Sequence, residues 1–176
     1  MCLIAGASMA LADSGGGGGS PLATPVPTPD GVIVTAQMTA ERCGQYKRVV
    51  DHWLEMDKSP EDDFIHLDKT HVPLVLSVMA KESACLTDVS DGQSIGLMQV
   101  IPRPWLPDVR SNGMNIYTGM YILDRSIELA DGDVALALAY YNCGVPKVEA
   151  DACGKRGGKH YAQDVLTFWY PYFMVE

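Results

Sequence analysis

Basic residues are scarce in this sequence: 13 Lys and Arg stand against 22 Asp and Glu in 176 residues. Residues 1–35 contain no Lys or Arg, so residues 36–176 hold every basic side chain and 20 of the acids, a net charge of −7. That balance excludes the basic face with which a nucleic-acid binder neutralises phosphates. It equally excludes a polybasic patch for anionic lipid. No run approaches the roughly 18 apolar residues needed to cross a bilayer, so no transmembrane helix is expected. Alternation of apolar and polar residues is missing outside residues 32–35, and no internal repeat is present. His52, His66, His71 and His160 have no paired spacing with one another or with Cys, so neither metal nor cofactor is expected. No Cys stands in a recognisable His-paired setting, which argues against a thiol nucleophile.

What is present suffices for one globular domain with an appendage. Hydrophobic residues make up 47% of the chain, with 3 Trp, 8 Tyr and 3 Phe, enough to fill a core. Residues 2–12 read CLIAGASMALA, an apolar run ending in small residues. This resembles the h-region and cleavage site of a secretory signal peptide, although without the charged start. Residues 1–12 are therefore read as a signal-peptide remnant, with a roleless apolar leader or a lipid-anchor motif at Cys2 as alternatives. Five glycines at 15–19, then a Pro/Thr stretch to Pro29, cannot pack, so residues 13–35 read as a disordered, flexible linker. An export signal followed by a tether predicts a secreted or cell-envelope protein held near a surface, a plain linker being the alternative.

The remainder, residues 36–176, reads as helices. Tyr46, Val49, Val50, Trp53 and Leu54 keep helical spacing between Met38 and Met56. Pro73 suits the first turn of a second helix running to Ala84. Asn115 is placed to cap a third, with Ile116, Met120, Leu123 and Ile127 on one stripe. Asp133 caps a fourth, the apolar VALALAYYN, which Gly144 stops. Helical spacing returns from Tyr161 to Trp169. The fold class expected is all-α, with loops at 86–95, 102–112 and 144–158.

One carboxylate is out of place. Met79, Val78 and Val75 lie three, four and seven residues before Glu82, so Glu82 falls on the apolar face of the second helix. Desolvation there raises a carboxyl pKa and keeps a general acid protonated near neutral pH. A Glu at the edge of that face, reaching water, is the alternative. Asp88 and Asp91 follow as candidates for a second carboxylate, or as ordinary solvated turn acids.

Downstream motifs join this acid. Glu82-Ser83, then Ser94-Ile95-Gly96-Leu97-Met98-Gln99-Val100-Ile101-Pro102, then Ala137-Leu138-Ala139-Tyr140-Tyr141-Asn142-Cys143-Gly144, and finally His160-Tyr161-Ala162-Gln163-Asp164-Val165-Leu166 occur in order. Together they resemble the catalytic domain of lytic transglycosylases, related to goose-type lysozyme. The similarity covers about residues 70–170. Three departures stand out: Tyr140 opens the Ala-Tyr-Asn triplet, the loop before Gly96 is about a residue short, and Cys85 replaces an aromatic.

The resemblance implies a lysozyme-like helical fold and cleavage of the β-1,4 bond between N-acetylmuramic acid and N-acetylglucosamine in peptidoglycan. The product is a 1,6-anhydromuramic end, with Glu82 acting first as acid and then as base. It assigns Gln99 and Asn142 to the glycan groove, the bland role for Asn142 being a helix cap. Tyr141 and Tyr161 orient Glu82, or simply pack. Met98 is cleft floor, Ser83 braces backbone or touches substrate, and Gly96 permits close approach of backbone to sugar or starts a helix. Trp105, flanked by Pro, is read as a lid packed on the core, with sugar stacking as the alternative. Other readings are a hydrolysing goose-type-like lysozyme, a chitin-cleaving variant and a non-catalytic glycan-binding module. Peptidoglycan strands are the expected partner, and a monomer is expected.

Cysteines bear on compartment. Cys143 and Cys153 bracket a short Gly-containing loop, and Cys43 and Cys85 are candidates for a second bridge. Four Cys permit three pairings, and four buried thiols are the alternative. Closing the ten-residue loop is worth about 2–3 kcal/mol in the chain-entropy picture.

Overall fold

A computed structural model describes residues 26–27, 33–34, 36–56, 65–155 and 157–174, and the fold is all-α. The leader at 1–12 and most of the linker at 13–35 lie outside the described residues. Within the linker, Val26–Pro27 pairs antiparallel with Ile33–Val34, so the alternation at 32–35 marks a minimal strand.

Helices α1 (Ala36–Gly44) and α2 (Lys47–Met56) replace the single helix suggested by the spacing from Met38 to Met56. The break falls at Gly44, the residue least able to hold a helix short of Pro. There the Tyr46 N–H turns back to the Cys43 carbonyl at 2.9 Å.

Helix α3 (Val72–Ser83) begins with Pro73 in its first turn, where a missing N–H costs nothing. Ten of its twelve residues are buried, so it is the central rod of the core. It stops because Ala84 and Cys85 take left-handed conformations, φ 51° and 56°.

Helix α4 (Asn112–Leu129) is capped by Ser111, whose Oγ accepts the Met114 N–H at 3.3 Å, and not by Asn115. Asn115 lies inside the helix and is buried, its amide engaged by a distant loop. Helix α5 (Val134–Cys143) follows its punctuation: Asp133 Oδ1 accepts the Leu136 N–H at 3.0 Å, and Gly144 ends it with φ 78°. The segment 144–158, read as loop, contains the short helix α6 (Val145–Glu149), with Pro146 in its first turn.

The chain closes with α7 (Lys159–Gln163), a π-helical stretch (Asp164–Trp169) and α8 (Tyr170–Phe173). The wider π turn keeps Tyr161, Val165 and Trp169 on one buried face, packed with α3 in the same core.

Both suggested disulfides are present. Cys43–Cys85 ties α1 to the end of α3, and Cys143–Cys153 closes the loop after α5, with Cα separations of 5.3 and 5.8 Å. Among the described residues no helix is long and apolar enough to cross a membrane.

Candidate active site

Glu82 stands one residue from the end of α3 and is 4% exposed. Burial strips solvent from its ionised form and pushes its pKa up to about 7. The Tyr161 hydroxyl and the Lys81 charge pull it down again, and Asp91 adds a small upward push. Tyr161 donates to Glu82 Oε1 at 2.6 Å. Burial, with Glu82 and Tyr141 close by, holds the Tyr161 phenol well above its ordinary pKa, so it stays a donor. With Oε1 accepting that proton, Oε2 is the oxygen left to carry the acidic hydrogen. Lys81 is engaged by Asp164 at 2.5 Å, which ties α3 to the π stretch.

The loop from Cys85 to Ile101 packs behind the acid. Ser90, Ile95 and Val100 form two single antiparallel bridges. Ser83 Oγ lies 2.8 Å from the Leu97 carbonyl and 3.2 Å from that of Met79; its one proton favours the shorter contact, bracing loop to helix. The Met98 backbone is held from both sides: its N–H donates to Asn115 Oδ1, and its carbonyl accepts the Tyr141 hydroxyl, each at 2.8 Å. The side chain of Met98 is fully buried beneath the loop. It seats against the bare Cα of Gly119, where any Cβ would overlap it.

Gln99 adopts φ 47° and is 2% exposed. Its amide donates to the carbonyls of Val89 (3.0 Å) and Gly96 (2.8 Å), while its Oε1 lies 2.8 Å from Ser94 Oγ. In this arrangement the amide serves the loop interior. Gly96 has φ +78°, and a Cβ there would stand 2.5 Å from Asn115 Nδ2. Only glycine leaves that amide room to donate to the Ile95 and Val109 carbonyls, at 2.9 and 3.1 Å.

Asn142, at the end of α5, is 8% exposed, and its Oδ1 accepts the Gly158 N–H at 3.1 Å just before α7. The motif residues are thus linked: Glu82 with Tyr161, Ser83 with the loop, Met98 with Tyr141, and Asn142 with the start of the helix bearing Tyr161.

Of the two loop acids, Asp91 is tied into its own loop through Oδ1, and Asp88 faces solvent. Asp91 Oδ1 accepts the N–H groups of Gln93 (2.8 Å) and Ser94 (2.7 Å). Burial pushes its pKa up, but these hydrogen bonds outweigh that and leave it lowered. Trp105 corrects an expectation: it is 72% exposed and does not form a lid on the core, because its Pro-flanked turn carries it outward. A groove of about 910 Å³, lined by Val72, Pro73, Leu76, Tyr170 and Phe173, lies toward the other end of α3 and does not include Glu82. Among the described residues no cluster of His, Cys, Asp and Glu is placed to hold a metal ion.

Asn115, read from the sequence as a helix cap, has instead a bracing role that the sequence reading missed. It lies about a third of a turn off the Ile116, Met120 and Leu123 stripe, on a face with Gly119, Ile122 and Ser126 that is also buried, so the stripe alone does not mark it as interior.

The chain matches no protein-family model and no curated protein. Tyr161→Phe checks the central contact: removing the hydroxyl withdraws a bond that favours the carboxylate. The Glu82 midpoint, read by 13C NMR titration of labelled Glu, should rise above its value of about 7. An unchanged midpoint would show that the 2.6 Å bond has no electrostatic consequence.

Proposed function

We propose that this protein is a peptidoglycan lytic transglycosylase, a monomer acting outside the cytoplasm on glycan strands. The observation that carries the reading is one carboxyl group, Glu82, buried at the end of α3 with its pKa pushed up to about 7 and one oxygen fixed by a tyrosine hydroxyl. A group in that state donates a proton near neutral pH and takes one back with little penalty. The order of the four motifs supplies the substrate class, and the two disulfides suit an oxidising compartment.

The chemistry needs only one acid. Glu82 protonates the glycosidic oxygen linking N-acetylmuramic acid to N-acetylglucosamine, and the bond breaks with positive charge growing at the muramoyl anomeric carbon. The 2-acetamido group of the sugar stabilises that charge, a recognised alternative to a second carboxylate. Glu82, now ionised, removes the proton from the muramoyl C6 hydroxyl, whose oxygen closes the 1,6-anhydro ring. The binding of Asp91 within its own loop is in keeping with a one-carboxyl scheme.

The test is mass spectrometry of muropeptides released from purified sacculi. Anhydromuramic ends, each lighter than the reducing sugar by one water, are expected. Reducing ends would instead identify a hydrolysing lysozyme of the goose-type kind, and binding without cleavage a glycan-binding module.

A further inference from the structure

The Cys143–Cys153 bridge is joined to the acid by a short path of contacts. Gly157 and Gly158, just before α7, lie against it. A Cβ on Gly158 would stand 3.1 Å from Cys153 Sγ and 3.7 Å from Cys143 Sγ. A Cβ on Gly157 would collide with the Cys153 carbonyl oxygen and stand 3.2 Å from Asn142 Oδ1. The same Asn142 oxygen holds the Gly158 N–H, and the Gly158 carbonyl accepts the Ala162 N–H at 3.0 Å, inside the first turn of α7. Tyr161, in that turn, reaches Glu82. The backbone entering α7 is therefore fitted to the oxidised bridge on one side and delivers the tyrosine to the acid on the other.

We propose that the Cys143–Cys153 disulfide positions Asn142 and Tyr161, and that its reduction by a dithiol switches the site off. The inference rests on the reading of Glu82 as the general acid. Cys153 is the less buried cysteine of the pair, between exposed neighbours at 152 and 154, whereas Cys143 is 5% exposed. A thiolate of the dithiol attacks Cys153 Sγ and the S–S bond breaks. The second thiol of the reductant then displaces Cys153, leaving thiols on Cys143 and Cys153 and a disulfide on the reductant. Two electrons and two protons pass to the protein. The other bridge is shielded, with Cys43 0% and Cys85 1% exposed. In a reducing compartment the chain is thus held inactive, and oxidation after export assembles the site.

The experiment treats the intact chain with dithiothreitol, traps free thiols by alkylation and locates them by mass spectrometry. Peptidoglycan cleavage and the Glu82 midpoint are followed in parallel. Opening Cys143–Cys153 should lower cleavage by about a hundredfold, the scale of a 1 Å misplacement in a site. The midpoint should fall from about 7 toward 4.5 as water reaches the carboxyl, and reoxidation should restore both. A Cys43→Ala/Cys85→Ala chain should respond to the dithiol in the same way, and a Cys143→Ala/Cys153→Ala chain should be low from the start and not respond. A bridge that resists the dithiol, or one that opens with cleavage and midpoint unchanged, overturns the proposal. If the double Ala variant does not fold, reduction of the native chain still decides. An oxidised chain that cleaves no peptidoglycan defeats the reading of function, while the Glu82 titration still decides whether bridge and acid are coupled.

Discussion

Glu82→Gln will leave a folded protein whose rate of glycan cleavage is lower by about two to four orders of magnitude, the usual contribution of a positioned general acid. The amide matches the carboxyl in shape and still accepts the Tyr161 hydroxyl, but it has no acidic proton to give. The same substitution changes the dependence of stability on pH. In the native state Glu82 keeps its proton up to pH 7 or so, while in the unfolded chain it loses it near 4.5. Between those values the native state binds the extra proton, so stability falls as pH rises. The contribution is complete below 4.5 and is lost through pH 7, a total of about 3 kcal/mol. Urea unfolding at pH 4.5 and pH 8.5 should show this loss in the wild type and not in Glu82→Gln. The basic limb of the wild-type rate profile should fall in the same region, as the acid form is depleted. A Gln variant that clears sacculi at the wild-type rate ends the assignment of Glu82 as acid.

Glu82 was legible because its signal is local. Three apolar residues one and two turns back on α3 define a dry face, and a carboxyl on such a face shifts upward wherever the helix packs. Helix α5 was legible for the same reason: Asp133 and Gly144 mark its ends with side-chain and backbone chemistry that acts within four residues. The pairing of the cysteines was half legible, since loop length favours Cys143–Cys153 and the remaining two follow only once helices α1 and α3 are packed.

What the sequence hid depends on partners far along the chain. A Gln in a Gly-Leu-Met-Gln run presents donor and acceptor groups, but whether they face a groove or the loop interior depends on where Val89, Ser94 and Gly96 fold. Trp105 reads as core by hydrophobicity, yet its turn points outward. The π stretch at Asp164–Trp169 has no composition of its own; it follows from keeping Tyr161 and Trp169 on one face of the packed segment. The one-turn helix α6 is too short for any periodic signal.

Asn115→Ala should be the most damaging substitution outside the acid, with a loss of stability of at least about 2 kcal/mol, from two backbone groups, the Met98 N–H and the Val109 carbonyl, left without this partner. The Met98 N–H and the Ile95 and Val109 carbonyls all bond to this one amide; the Ile95 carbonyl keeps the Val100 N–H at 3.1 Å, but the other two are buried with no ready replacement. Because Met98 is also where Tyr141 attaches, the damage should reach the site: Met98 amide exchange should accelerate and cleavage should fall even at temperatures where the variant stays folded. A double-mutant cycle with Gly96→Ala separates space from backbone strain. In the wild-type background the new methyl both collides with the Asn115 amide, 2.5 Å away, and sits at φ +78°. Once Asn115 is Ala the collision is gone, and only the left-handed conformation remains to be opposed, at about 1–2 kcal/mol. The two substitutions should therefore sum to clearly less than their separate effects. Full additivity would mean that Gly96 is required for its backbone conformation alone, and that Asn115 does not set the position of the loop behind Glu82.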